Sequence, residues 1–172
     1  MKPWLRRVIG VLTLGGGFLG LTVGLQLLFA TQQPLVGKCM LLAFICAYGW
    51  GCWVGMRLLE QAPRASDVTA LYWLAQVPMF SSPLAAYTFA GGSLLFVTYT
   101  VGPGLGVRWQ LGSTFEYSLL DASKPWKLGI NLFALSVSIV LLWDSLRSTV
   151  DAKRSLETNA TSEPGEGGIE TV

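Results

Sequence analysis

Few residues of this 172-residue chain have the types and spacing that chemistry requires. The most suggestive group is Asp121, Ser123 and Lys124, in which a hydroxyl lies beside an amine. A Ser–Lys pair can supply the nucleophile and the base of a hydrolytic reaction. The three residues immediately precede Pro125, however, and polar residues next to a proline are typical of a surface turn. We therefore predict no catalytic residue, and an enzyme is the least favoured interpretation.

Histidine is absent from the sequence, and this narrows the range of cofactors. Histidine is the usual axial ligand of haem, the usual general base and the commonest zinc ligand. The three cysteines, Cys39, Cys46 and Cys52, lie in one apolar run without a C-x-x-C spacing. Such cysteines behave as small packing residues. We expect neither a cofactor nor a metal site.

Neutral polar residues within apolar runs are the next candidates, namely Gln76, Asn131 and Ser138. Asn131 and Ser138 are seven residues apart and would share one face of a helix. They could form interhelical hydrogen bonds. Alternatively, Gln76 and Asn131 could line a path for a small solute beside a helix kinked at Pro78. Ionisable residues are missing from the middle of every apolar run, and Asp144 and Arg147 are predicted to form an interfacial ion pair.

The composition indicates that most of the chain lies in a membrane. Hydrophobic residues make up 52% and charged residues 13% of the chain, and the mean hydropathy is +0.51. Soluble domains usually carry about 25% charged residues. The net charge of +2 is too small to indicate a nucleic-acid partner. We predict an integral membrane domain over 1–147.

Small residues recur at four-residue spacing in the first two apolar runs. This spacing is just over one helical turn, so each set lines one helix face with almost no side chain. In lipid such a face allows close helix–helix packing. The predicted helix-packing residues are Gly16, Gly20, Gly24, Ala43, Ala47, Gly51 and Gly55.

Four membrane spans are predicted, at about 8–30, 39–59, 67–90 and 126–145. The third is ambiguous because 40 uncharged residues separate Asp67 from Arg108. Two crossings would need about 20 residues each and would leave no room for a turn. The run therefore holds one crossing, either 67–90 with proline kinks or, as the alternative, 84–101.

Strand-like patterns follow this run. Residues 94–101 are rich in β-branched and aromatic residues, Val107, Trp109 and Leu111 alternate with polar residues, and 114–120 again resemble a strand. We predict a small extracytoplasmic β-hairpin or meander in the loop 91–124. The overall class is a membrane all-α fold, a four-helix transmembrane bundle. Residues 148–172 are predicted to be a disordered cytoplasmic tail.

Lysine and arginine set the predicted orientation. With four crossings, both termini lie on the side with more of these residues, which the positive-inside rule assigns to the cytoplasm. We expect the inner membrane of a bacterium. The two sides carry eight residues (Lys2, Arg6, Arg7, Arg57, Arg64, Arg147, Lys153 and Arg154) and four (Lys38, Arg108, Lys124 and Lys127).

These patterns favour a small structural or accessory subunit that contacts the lipid bilayer and binds a protein partner through its helix faces or its extracytoplasmic loop. The alternative is a small oligomeric transporter or channel subunit for a small solute. No motif covers enough of the chain to indicate a family, and the sequence does not specify an oligomeric state.

Overall fold

The structure is a computed structural model that describes residues 1–30, 34–102 and 104–161, with the backbone alone at 152 and 155–161. It contains four helices and a six-stranded antiparallel sheet. The helices are α1 (Pro3–Ala30), α2 (Leu35–Leu59), α3 (Ala65–Leu74) and α4 (Leu132–Thr161). The strands are β1 (Pro78–Ser81), β2 (Ala85–Ala90), β3 (Ser93–Thr100), β4 (Gly104–Leu111), β5 (Thr114–Leu119) and β6 (Lys127–Asn131).

The prediction of a four-helix transmembrane bundle with a small hairpin is wrong. Within the described part of the chain, three helical segments are long and apolar enough to cross a membrane. They are Pro3–Ala30, Leu35–Leu59 and Leu132–Asp151.

The predicted third crossing at 67–90 is instead α3 followed by β1 and β2, and the alternative at 84–101 is β2 and β3. Pro78 cannot continue a helix, because it lacks an N–H group and its ring would clash with the preceding turn. The uncharged run misled the prediction because both faces of these strands carry apolar or small neutral side chains, among them Phe96 beside Thr98 on the buried face of β3.

The last span also differs from its predicted bounds of 126–145. Residues 127–131 form β6, and the helix begins at Leu132 because Asn131 caps it, its Oδ1 accepting a hydrogen bond from the Ala134 amide at 3.3 Å. Helix α4 continues through Thr161, so it includes 148–161, the first part of the predicted tail. The rest of that predicted tail, 162–172, and residues 31–33 between the first two predicted spans lie outside the described residues.

Strands β2 to β5 form one long bent hairpin. Ala85 pairs with Leu119 and Thr100 pairs with Gly104, and the same register runs through both halves. At the bend, Gly92 and Gly112 exchange two backbone hydrogen bonds of 3.1 and 2.8 Å. The expected strands at 94–101, 107–111 and 114–120 thus correspond to β3, β4 and β5, but they belong to a larger sheet.

The short strands β1 and β6 pair with each other and fill the space between the two halves of the bent hairpin. The strand order is therefore β4-β3-β6-β1-β2-β5. Strand β4 and strand β5 are the two ends of this order, so each pairs on one side only.

Candidate interaction surface

The small residues predicted to pack helices do not all lie in one interface, and three of them lie between α1 and α2. Gly20 packs on the Tyr48 ring, and Gly24 packs on Ile45, so both lie between α1 and α2. Gly55 packs on the backbone of Leu14 in the same interface.

The other small residues contact different elements. Gly16 lies against the backbone of Gly91 and Gly92 in the bend between β2 and β3, and Gly51 lies against the Tyr72 ring of α3. Two further members of the predicted set, Ala43 and Ala47, line a groove between α2 and the sheet.

The polar candidates Gln76 and Asn131 are fully buried beside the ends of strands. The Gln76 Oε1 atom accepts a hydrogen bond from the Gly91 amide at 2.7 Å, and the Asn131 Oδ1 atom accepts one from the Leu95 amide at 3.2 Å. Ser138 is buried too, and its hydroxyl donates to the Ala134 carbonyl at 2.8 Å. The amide oxygens of Gln76 and Asn131 therefore hold the sheet to the helices.

Asp144 and Arg147 take different partners. The Asp144 carboxylate accepts hydrogen bonds from the Met1 amino group and, at 3.3 Å, from the Ser66 hydroxyl. The Arg147 guanidinium lies over the Trp143 ring, 5.1 Å from its centroid. The start of α1, the start of α3 and the middle of α4 therefore lie on one side of the molecule.

In the turn at 121–125, the Ser123 hydroxyl and the Lys124 amine bind different partners. The Ser123 hydroxyl donates to the Asp121 carboxylate at 2.6 Å, and this hydrogen bond is the main cause of the lowered pKa of Asp121. The Lys124 amine binds the Glu116 carboxylate, and that hydrogen bond raises the pKa of Lys124. The Ser123 side chain thus stabilises the turn, and the Lys124 side chain forms an ion pair with Glu116.

Two buried aromatic residues join elements distant in sequence, Tyr48 joining α2 to the sheet and Trp73 joining α3 to α1, and sequence reasoning did not identify either. The Tyr48 hydroxyl lies 3.1 Å from the Ala90 carbonyl and 2.9 Å from the Thr114 carbonyl, at the bend of the long hairpin. The Trp73 indole N–H donates to the Thr13 hydroxyl at 2.9 Å. Their partners are distant in sequence, so only the fold distinguishes them from ordinary apolar packing.

The outer face of the sheet is apolar and exposed. Its side chains alternate along β4 with inward-facing residues, and Leu105, Val107, Trp109 and Leu111 are 62–76% exposed. The strand register places this row beside exposed apolar side chains of β3 and β6. A contiguous patch of this kind marks a surface that meets lipid or another protein. We call it the outer sheet face, formed by Leu95, Val97, Tyr99, Leu105, Val107, Trp109, Leu111, Leu128 and Ile130.

The free edge of β4 is formed by the backbone of the four residues whose side chains make the apolar row of this strand. Antiparallel pairs alternate between hydrogen-bonded and non-hydrogen-bonded, and Gly92 with Gly112 is a hydrogen-bonded pair. Even-numbered residues of β4 therefore bond to β3, whereas the backbone groups of Leu105, Val107, Trp109 and Leu111 point away from β3. These groups form an unpaired row able to accept another strand.

The bend that follows β4, and strand β5 after it, lie against α1 and α2, two helices long and apolar enough to span a membrane. The Ser113 hydroxyl, at the bend between β4 and β5, donates to the Gly16 carbonyl in the middle of α1 at 2.5 Å. The Tyr117 hydroxyl donates to the Gly37 carbonyl near the start of α2 at 3.1 Å. Because Thr114 meets Tyr48, β5 runs beside about 16 Å of α2 at 1.5 Å per residue.

Comparisons with protein-family models, with curated proteins and with solved structures give no match to this chain.

Proposed function

We propose that this protein is an accessory subunit of a membrane assembly and that it binds an extended segment of another membrane protein along β4. The observation that carries the proposal is the unpaired edge of β4, whose Leu111 end adjoins a bend held against α1, a helix long and apolar enough to span a membrane.

The membrane makes such an edge costly. Lipid tails offer no hydrogen bonds, so every unpaired backbone group in the hydrocarbon costs several kcal/mol, and open sheet edges facing lipid do not occur. Soluble proteins can leave an edge in water, but this edge carries four large apolar side chains that disfavour water. A strand from a partner satisfies the backbone groups and covers the apolar row together, which is the binding mode known as β-augmentation.

The positive charge on β4 favours a different protein, and not a second copy of this chain, as the source of the partner strand. Arg108 is exposed on the face of β4 opposite to the apolar row, and its guanidinium donates a hydrogen bond to the Gln110 side-chain oxygen at 3.0 Å. Two copies paired along β4 would bring two arginines into one sheet without an acid on that strand. An acidic residue on a partner strand would lie across from Arg108, where opposite charges are stabilising.

The proposed orientation keeps both ends of the described chain in the cytoplasm. Met1, Ser66 and Asp144 meet on one side of the molecule. That side carries the larger share of lysine and arginine, so it is the cytoplasmic side by the positive-inside rule. The proposed membrane is the inner membrane of a bacterium.

Site-specific photo-cross-linking in native membranes tests this function. A photoreactive phenylalanine analogue at Trp109 should form an adduct with one discrete protein of another sequence. The matched control is Phe18, an equally exposed apolar residue on α1, where we expect lipid adducts alone. Adducts at Trp109 with lipid alone, or with a second copy of this chain, would contradict the proposal.

A further inference from the structure

A groove of about 390 Å³ runs between α2 and the sheet. Met40, Ala43, Ala47 and Trp50 form its helical wall, and aromatic residues of β2 and β5 form the opposite wall. Its helical wall extends along α2 from Met40 to Trp50, or about 15 Å at 1.5 Å per residue. Ala43 is exposed at the mouth of the groove, so the cavity opens to the surroundings of the helix.

The groove exists because the helical wall is built from small residues opposite a fixed aromatic wall. Phe44 packs on Phe115 and Tyr117, with ring centroids 5.2 and 5.9 Å away. These rings set the distance between α2 and β5. Ala43 and Ala47, placed next to Phe44, do not fill that distance, and a narrow channel is left.

The lining has almost no free hydrogen-bonding group. The Tyr87 hydroxyl donates to the Ala75 carbonyl at 2.9 Å, and the Tyr117 hydroxyl donates to the Gly37 carbonyl. Both tyrosines therefore present ring surface rather than hydroxyl groups to the groove.

We propose that this groove binds one acyl chain of a membrane phospholipid. Three observations select this occupant. The groove is narrow and apolar, it follows a helix able to span a membrane, and its mouth opens beside that helix. The acyl chain enters at the exposed mouth beside Ala43 and lies along the helical wall between Met40 and Trp50.

The proposal predicts a retained lipid that a groove-filling substitution removes. We expect native mass spectrometry of the detergent-purified full chain to show one phospholipid per protein. Ala43→Phe, at the exposed mouth, should lower lipid retention at least tenfold. Cys46→Phe is the matched control, because Cys46 is exposed on the same helix and does not line the groove. It should retain lipid like the unchanged protein.

A measurement in bilayers keeps the proposal testable if Ala43→Phe fails to fold. The fluorescence of Trp50 is obtained as the difference between the unchanged protein and Trp50→Phe. In vesicles of phosphatidylcholine brominated on its acyl chains, this difference should fall at least twofold relative to unbrominated vesicles. A folded Ala43→Phe variant should reduce that quenching.

Several results would overturn the proposal. These are the absence of retained phospholipid in the unchanged protein, equal retention in Ala43→Phe, and Trp50 fluorescence that bromine leaves unchanged. A dimer that Ala43→Phe dissociates would also overturn it, since a second copy would then occupy the groove. Loss of partner binding at β4 with lipid still retained would contradict the proposed function alone.

Discussion

Gly16, in the middle of α1, lies in backbone contact with Gly92 in the bend between β2 and β3. A Cβ atom at Gly16 would come within 2.6 Å of the Gly91 carbonyl carbon and 2.9 Å of the Gly92 Cα atom. The contact joins α1, the longest of the three candidate membrane spans, to the sheet. It fixes the height of the bent hairpin relative to the helices.

We expect Gly16→Ala to destabilise the protein by about 1–3 kcal/mol, because the added methyl group meets backbone that cannot move aside. Gly15→Ala is the matched control, since a Cβ atom there has no neighbour within 4 Å. That substitution should be neutral or stabilising by up to about 1 kcal/mol through helix propensity. Titration of the protein in mixed micelles with dodecyl sulfate, followed by tryptophan fluorescence, measures both. Equal unfolding midpoints for the two variants would contradict the packing described.

The proposed orientation predicts which residues face each side of the membrane. In a variant lacking the three native cysteines, an impermeant maleimide added outside intact cells should label Ala122→Cys, in the turn after β5. Lys2→Cys and Ser148→Cys should react only after permeabilisation, because Met1 and Asp144 meet on the opposite side. Labelling of Ser148→Cys and Ala122→Cys from the same side would refute the orientation.

The Lys124–Glu116 ion pair should make stability depend on alkaline pH. Its hydrogen bond raises the pKa of Lys124 above the ordinary value of 10.5. A raised folded-state pKa adds stability that is fully present below pH 10.5 and is lost as the pH rises through the folded-state value. Glu116→Gln should therefore cost about 0.2–1 kcal/mol at pH 7, as expected for a partly exposed pair, and less at higher pH.

Free energies of unfolding at pH 7 and above pH 10.5 check this prediction. Glu60→Gln serves as the control, because Glu60 is exposed at the end of α2 and its variant should show no such trend. A cost of Glu116→Gln that stays constant from neutral to alkaline pH would mean that the ion pair contributes nothing in solution.

Local pattern was enough to predict some elements. The long apolar runs flanking Pro34 correspond to α1 and α2, and the alternation at Val107, Trp109 and Leu111 corresponds to β4. In both cases the period of the side chains is fixed by the element itself, so it is visible in the sequence.

The elements that were missed have no such period. Strand β2 has the sequence AAYTFA, in which small and apolar residues occupy both faces, because Tyr87 and Phe89 pack on α2 while the alternate residues face inward. Strand β6 is five residues long and runs directly into α4, so it resembled the start of the helix. Strands β2 and β6 both form because they pair with strands that are distant in the sequence.

The candidate surface shows the same limit. The spacing of Gly16 predicted close packing but not the partner, which is the backbone of Gly91 and Gly92 in the bend between β2 and β3. The apolar row of β4 was identified, but its exposure and its free edge depend on the strand order. That order places β4 at the end of the sheet.

The most direct test of the central claim is the size of the complex extracted from native membranes with Val107→Pro. This substitution removes an N–H group that points to the free edge and leaves the hydrogen bonds to β3 intact, and proline is tolerated on edge strands. Val107→Thr keeps the N–H group and is the control. In native gel electrophoresis we predict a heteromeric complex for the unchanged protein and for Val107→Thr, and its loss for Val107→Pro with an unchanged unfolding midpoint. The same complex with all three proteins, or no complex with any, would contradict the account.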